Sequence, residues 1–481
     1  MSLTKVTYSM IQNAPIDVVN LGADPTGVAD STSAIQAALS LSSSTVYIPD
    51  GEYKITSTLT IDSKWGFGII GSPSNKRVVL KWAGAVGGTM IRVTKSRQVI
   101  LQGLALDGDS IAATTLEISS GSGNTNTQQQ YINCLFQNVT GSAVLLSGNN
   151  WQLDMIYFTN CWWSVSNIGM EINGASTFMI YVQGGTLADF DTYGFYRKTG
   201  GQLYISNMGF IAGGTPGDPM PVGKWYVARK NTFGEVVIEN VQSEGLSKFF
   251  TAEDSSGFSN YQPATIRNCQ VGPTGSGTYS VIDYRQKGAL IIEGGAVAGG
   301  YGTVDIYYEN PGNAQTGGYF YISGTKLETV AITTVGNSYV NGFSEEGVQY
   351  VGNGLKFPAA SVLQTDPNIL DDYEEGSWTP SFTGLTTVGT LTATGKYVKI
   401  GRLVQVEMRV VSTTTTASTA GTTYSSTPFP AASRSTCTAV NASTKASYGV
   451  GGVGFGDARC YTPTWPAVQD VVVSFAFETD S

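Results

Sequence analysis

Nine times between residues 99 and 330 the chain repeats one unit: a short β-forming run, then Gly or Asn, then four residues alternating apolar and polar. The anchors are Gly103, Asn133, Asn160, Gly184, Asn207, Asn240, Asn268, Gly294 and Gly324. Their spacings of 30, 27, 24, 23, 33, 28, 26 and 30 residues fit a solenoid, in which fixed strands are joined by loops of free length. Two positions before the anchors stand Leu101, Tyr131, Phe158, Val182, Ile205, Ile238, Ile266, Ile292 and Ile322, apolar in every case. Three positions after them eight of nine are apolar, Phe136, Trp163, Leu187 and Phe210 among them. Side chains alternate across a strand, so both columns must face one interior and stack coil on coil. The bend falls to the residues that best tolerate a left-handed backbone.

A second run follows each anchor by about ten residues: SAVLLSG, IGMEING, YGFYRKT, KWYVARK, KFFTAED, YSVIDYR and VDIYYEN. Aligned as written, one column reads Ser147, Asn173, Lys198, Arg229, Glu253, Tyr284 and Glu309, polar throughout, which predicts an outward polar face with aromatics beside it. Composition agrees with sheet and turn: 59 glycines and only 13% charged residues in 481. The fold class expected is all-β.

Charge narrows the partners. The net charge of −9 and the absence of any Lys/Arg run argue against nucleic acid or an anionic membrane surface, so a neutral or polar ligand fits better. No apolar stretch has the length of a membrane span, and the opening MSLTKVTYSM lacks a secretion signal, so no membrane insertion is expected and synthesis in a cytoplasm is. The chain has no histidine, which removes the commonest general base and metal ligand, every Ser-His couple and hence the usual esterase. Chemistry must then run on carboxylates, or on Tyr, Lys and Arg, with no metal or cofactor. Cys134, Cys161 and Cys269 each follow an anchor by one position; with Cys437 and Cys460 they are expected to be reduced, the first three as core packing.

Upstream, DVVNLGADPTGVADSTSAIQAAL reads as strand, turn and a short helix capped by Asp30, with Ile35, Ala38 and Leu39 on one face; VYIPDGEYKI follows as strand, turn and strand. After about residue 340 the coil pattern stops. Past DDYEEGSWTP, LVQVEMRV alternates Val404, Val406, Met408 and Val410 against Gln405, Glu407 and Arg409, and VVVSFAF is another strong strand, together suggesting a β-sandwich. The segment from Asp17 to Thr56 resembles the opening of pectate-lyase-like phage tailspikes, and YEEGSWTPSF with GKYVKIGRLVQVEM is similar to C-terminal domains of phage tail fibres and spikes.

The resemblance implies a right-handed parallel β-helix, a single-stranded solenoid with a short N-terminal capping helix and a C-terminal β-sandwich. The expected organisation is a virion- or adaptor-linking segment at 1–16, the N-terminal cap and first coils at 17–98, the central β-helix at 99–340, a linker at 341–371 and a trimerisation or carbohydrate-binding domain at 372–481. It also implies a homotrimer on a virion tail, held through the N-terminus by a baseplate or another tail adaptor, that binds a bacterial surface polysaccharide, capsule or O-antigen. TKVTYSMIQNAP resembles the joint to an attachment domain, so that domain is expected to be short, trimmed or replaced by an adaptor.

Three activities fit such a spike. A glycoside hydrolase needs two carboxyl groups about 5–9.5 Å apart, which neighbouring coils about 4.8 Å apart can supply. Outward acids near the middle are Glu244, Glu239, Glu253, Asp189 and Asp191; Glu244 is the first choice for the acid, beside the insertion GGTPGDPMPVGKW, with Asp189, Asp191 or Glu253 as ionised partner. The column Glu239, Arg267, Glu293 is equally the pattern of surface ion pairs, and the loop acid Asp218 that of a solvated turn. Sugar contacts are expected from Trp162, Tyr196, Arg197, Lys198, Trp225, Arg229 and Lys230, aromatic faces and hydrogen-bonding cations in one region. The alternatives are a polysaccharide lyase using Tyr, Lys or Arg as base, and a non-catalytic receptor-binding spike.

Overall fold

The computed structural model describes residues 14–41, 45–73, 77–120, 125–148, 152–230, 234–253, 263–286, 288–309, 319–335, 339–343, 373–454 and 456–479. The chain divides into two compact units, residues 1–352 and 353–481. The expected linking segment, up to residue 13, and nearly all of the expected linker lie outside the described residues.

In the first unit each coil carries a strand before the anchor, a strand after it and a third strand beyond a loop. One full coil is Leu203–Ser206, the corner Asn207, Gly209–Ala212, then Trp225–Arg229. Strands pair in parallel with their counterparts one coil away, the first two sets in a 23-stranded sheet and the third in an 11-stranded sheet. The interior column before the anchors is in register without a break: Leu101, Tyr131, Phe158, Val182, Ile205, Ile238, Ile266, Ile292 and Ile322 superpose one on the next. It continues upstream through Ile69, Val46 and Ile16, rungs whose irregular spacing hid them in the sequence. Ser243 fills the one polar place in the column after the anchors, between Phe210 and Val271. All nine anchors have positive φ, from 50° at Asn133 to 70° at Gly184.

A second left-handed series runs parallel to the anchors. Gly66, Gln98, Gln128, Met155 and Met179 have φ between 51° and 65°. Each sits between two register pairs of successive coils with the register unchanged across it, so the five stack as a ladder of left-handed kinks. Four of them are not glycine, and such a backbone costs on the order of 1–3 kcal/mol per residue.

The helix Thr32–Leu41 covers the first coils with Ile35, Ala38 and Leu39 buried. Asp30 accepts the Thr32 amide at 2.9 Å and hydroxyls from Thr32 and Thr56. Just before it, Asp24 accepts amides from Ala29, Thr26 and Val28 and the Thr26 hydroxyl. These bonds, the Ala29 amide first, hold its carboxyl down at about 2. A depressed carboxyl stabilises the fold above its unfolded value, and that contribution fades as pH falls from about 4 to about 2. Asp24→Asn is therefore expected to speed amide hydrogen exchange at Val28 and Ala29 at neutral pH. Unchanged exchange in the variant would show that the turn holds without the carboxylate.

In the second unit ten antiparallel strands form one continuous sheet. It folds over a core of Val404, Met408, Cys437, Trp465, Val473 and Phe475, so that Ser425 donates to Met408 Sδ at 3.3 Å although their strands stand five places apart. Leu403–Ser418 buries Val404, Val406, Met408 and Val410 and exposes Gln405, Glu407 and Arg409, as the alternation predicts. All five cysteines are buried and free.

Candidate functional site

The third strands correct the expected outward column. Leu146, Ile172, Arg197, Arg229, Ala252, Tyr284 and Tyr308 are partners in register, and Tyr284 is fully buried. The outward column is therefore Ser147, Asn173, Lys198, Lys230, Glu253, Arg285 and Glu309, one residue later at two of its places. The error arose because loops of unequal length precede these strands, while the polar ends of arginine and tyrosine disguise inward positions.

Arg197 and Arg229, expected on the binding face, are 1% and 2% exposed. Arg197 donates to the carbonyls of Gly200 at 2.7 Å, Glu235 at 3.1 Å and Gly234 at 3.3 Å, and burial, then the neighbouring Arg229 charge, presses its pKa well below the usual arginine range. Arg229 donates to Gln286 Oε1 at 2.7 Å, the Tyr284 hydroxyl at 3.0 Å and the Pro263 carbonyl at 3.1 Å. Trp225 is also buried, with Lys248 over its ring at 4.8 Å. These three residues build the coil and do not face a polymer.

Lys198, Lys230, Tyr196 and Glu253 do share the outer face. Lys230 pairs with Glu253 at 3.3 Å and Lys198 with Glu171 at 3.6 Å. Tyr196 stacks on Tyr193 at 4.4 Å, and the Tyr193 hydroxyl donates to Glu253 at 3.1 Å. Burial, then the Glu253 charge, pushes Tyr196 up to about 12 and Tyr193 higher still, away from the phenolate a proton-abstracting base would need. Glu253 is thus engaged on both oxygens. Trp162 is half-buried and points outward between Leu135 and Thr186. The ion-pair reading of the column at Glu239 is realised one coil on, where Arg267 meets Glu293 at 2.9 Å; Glu239 itself is half-buried beside Arg267. Asp218 accepts the Thr215 amide at 3.2 Å in an exposed turn.

Glu244 is exposed on the strand Gln242–Gly245, in register between Ile211 and Gly272. The buried Tyr226 hydroxyl donates to its backbone carbonyl and fixes its height. From Glu244 a groove of about 580 Å³ runs over the coils of Gln270 and Ala296 to Lys326 and Glu328. Its floor is made of small side chains, Gly272, Ala296 and Ala298, which leave room above the sheet. Asp189 follows Ala188, which lies two rungs from Glu244 through Ile211. Two rungs are about 9.6 Å. The exposed Asp189 carboxylate leans toward the intervening coil, where a Cβ on Gly213 would stand 2.8 Å from its Oδ1. Asp191 is exposed beyond it, and Lys224 lies over the Phe190 ring at 5.3 Å, its pKa lowered by burial against the opposing charges of Asp191 and Asp189. The structure therefore groups Asp189, Asp191 and Lys224, with Glu244 two rungs from the neighbouring Ala188, while Glu253 is held by Tyr193 and Lys230.

An aromatic feature escaped the sequence reading. Tyr157, Tyr181 and Tyr204 stack face to face at 4.9 Å per step on the outer side of the first strands. Each stands one residue before the apolar column already aligned, so reading that alignment one place to the left would have found them.

Among the described residues no group of His, Cys, Asp and Glu could hold a metal ion, and no helix is long and apolar enough to cross a membrane. Residues 16–200 match the family model described as rhamnogalacturonase A/epimerase, pectate lyase-like. No curated protein matches the sequence. The fold is similar to the tailspike of Acinetobacter phage vb_AbaP_AS12, at 12% identity and a TM-score of 0.52, over 95% of this chain and 82% of that one. Looser likenesses are to the Dettilon tailspike protein, at 11% identity and TM-score 0.35 over 96% and 94%, and to the A-module of an Azotobacter vinelandii mannuronan C-5 epimerase, at 13% and 0.40 over 68% and 99%. The solenoid geometry, the family-model match and the likeness in fold to the Acinetobacter phage tailspike together make this a right-handed parallel β-helix protein with a pectate lyase-like domain over residues 16–200.

Proposed function

We propose that the protein is a phage tailspike that binds and depolymerises a bacterial surface polysaccharide, capsule or O-antigen, as a glycoside hydrolase with Glu244 and Asp189 as its paired carboxyl groups. The observation that carries this is the exposed Glu244 at the mouth of a long outer-face groove with Asp189 two rungs away. Their coils stand about 9.6 Å apart, and were the two carboxyl groups to lie about 6.5–9.5 Å apart over a bound sugar they would leave room for a water, as an inverting hydrolase requires. The proposed assembly is a homotrimer on the virion tail, joined through its N-terminal segment to a baseplate or adaptor.

Glu244→Gln and Asp189→Asn are each expected to slow polysaccharide shortening by about 10²–10⁴-fold, the usual contribution of a positioned acid or base. Size-exclusion profiles of polysaccharide from a susceptible host report this, with trimer content checked on the same column. Full shortening by Glu244→Gln sinks the pair; binding without shortening by the parent chain makes the protein a receptor-binding spike. A lyase reading rests on Lys224, whose lowered pKa suits a base beside a uronate. It predicts unsaturated products that absorb in the ultraviolet and vanish in Lys224→Gln.

A further inference from the structure

The ladder of left-handed kinks does not serve the hydrophobic core, and the proposed carboxyl pair does not use it. Gln98, Gln128 and Met155 are held in the left-handed region on successive coils, with Gly66 before them. All four line one groove of about 650 Å³ on the outer face of the first strands. A left-handed residue turns its side chain off the regular pleat, and repeating it coil after coil sets a row of side chains along the same space. Residues kept at a costly backbone by their surroundings point to a use for the direction they give.

The groove has a definite chemistry. Its lining carries no ionisable acid or base apart from the phenol of Tyr157. Gln98, Gln128 and Gln130 are exposed there, each amide able to donate and to accept. One end is closed by Tyr157, whose far side is stacked on Tyr181 and that in turn on Tyr204. The near face of Tyr157 therefore looks along the coil axis over Gln130, its partner in register, and is stiffened from behind. At the rim Trp65 is 73% exposed, its indole N–H held by Gln98 Oε1 at 3.1 Å. Aromatic faces beside neutral amides match the apolar faces and hydroxyl edges of uncharged sugars. A peptide strand is disfavoured, because the backbone at the groove is already paired within the solenoid and offers no free sheet edge.

We infer that this groove is a second, non-cleaving glycan site that holds a neutral oligosaccharide stretch, separate from the Glu244 groove. It rests on the polysaccharide reading only for the class of partner, since binding here is scored without cleavage.

The test uses the full chain and an array of neutral bacterial hexasaccharides built from glucose, galactose, rhamnose and N-acetylhexosamines, with acidic hexasaccharides alongside. At least one neutral member is expected to bind. Its affinity should fall at least about tenfold in the double variant Gln98→Gly/Gln128→Gly and again in Tyr157→Ala. The glycine variant relieves two left-handed side-chain positions, so its melting temperature should stay level or rise, which separates lost binding from lost folding. Binding of acidic members alone, of no neutral member, or neutral binding untouched by both variants overturns the proposal. So does a changed oligomeric state in the variants by sedimentation, which would make the face a contact between copies. Failure of Glu244→Gln to stop shortening would remove the hydrolase pair and leave this site standing.

Discussion

Arg229→Ala is expected to cost about 3 kcal/mol or more of folding stability while leaving the outer face and the proposed glycan binding there intact. The guanidinium is 2% exposed and is hydrogen-bonded to Gln286, Tyr284 and the Pro263 carbonyl, groups that belong to the two coils that follow its own. Removing it strands these partners, each left with a desolvation penalty of about 1–3 kcal/mol. Some of that is offset, because a buried cation disappears and its neighbour Arg197 loses a like charge. Arg229→Lys should recover little, since one ammonium cannot reach three acceptors spread around a planar fork. Thermal unfolding compared at a fixed scan rate reads the effect, because a large solenoid is judged by how fast it unfolds as well as by equilibrium. Normal stability with lost polysaccharide binding would return Arg229 to the ligand face.

That prediction reverses the role the sequence suggests for Arg229, and the reason is instructive. In the strands around the anchors every coil bears a corner residue with positive φ, so register can be counted from a fixed point and the apolar columns fall into line from Leu101 to Ile322. Before the third strands the left-handed residues are of mixed type, Asn138, Val165, Asp189, Gly245, Gly300 and Thr329 among them, and stand one to four places from the strand, so the sequence offers no uniform mark to count from. Loops of different length precede Trp225 and Lys248, and an alignment by appearance put Arg229 and Tyr284 in a column with Ser147 and Glu253. A one-residue slip exchanges the inner and outer faces of a strand. Glu244 escaped that error because it is counted four places from Asn240, and it is exposed as expected. What no pattern could reveal is how the outward acids are spaced: Ala188, next to Asp189, stands two rungs from Glu244 through the pairing of Ala188 with Ile211 and of Ile211 with Glu244. The tyrosine stack and the left-handed glutamines were hidden differently. They occupy outward columns, where no rule of burial singles a residue out, and the left-handed kinks break the two-residue period by which a strand is recognised.

The same corners give the other large effect, and they are not interchangeable although glycine and asparagine both mark them. Gly103→Ala is expected to destabilise the N-terminal coils by about 3 kcal/mol or more, from overpacking together with the left-handed backbone penalty. At Gly103, with φ of 68°, a Cβ would stand 1.7 Å from the Ser72 carbonyl oxygen, a backbone atom that cannot swing aside. At Gly184 and Gly294 the nearest obstacle is a side-chain oxygen, of Asn160 and Asn268, at 2.3 Å in each case. At Gly324 nothing comes nearer than 3.9 Å. Gly324→Asn should therefore be close to neutral, since asparagine already serves five other corners at nearly the same φ. Limited proteolysis locates the damage, because in a solenoid each coil contacts mainly its neighbours and opens locally before the whole unfolds. Early cleavage near residue 72 in Gly103→Ala, with the parent pattern kept in Gly324→Asn, is the expected outcome. Equal tolerance at both corners would mean that the close approach of Ser72 does not select the glycine, and that left-handed geometry alone governs these positions.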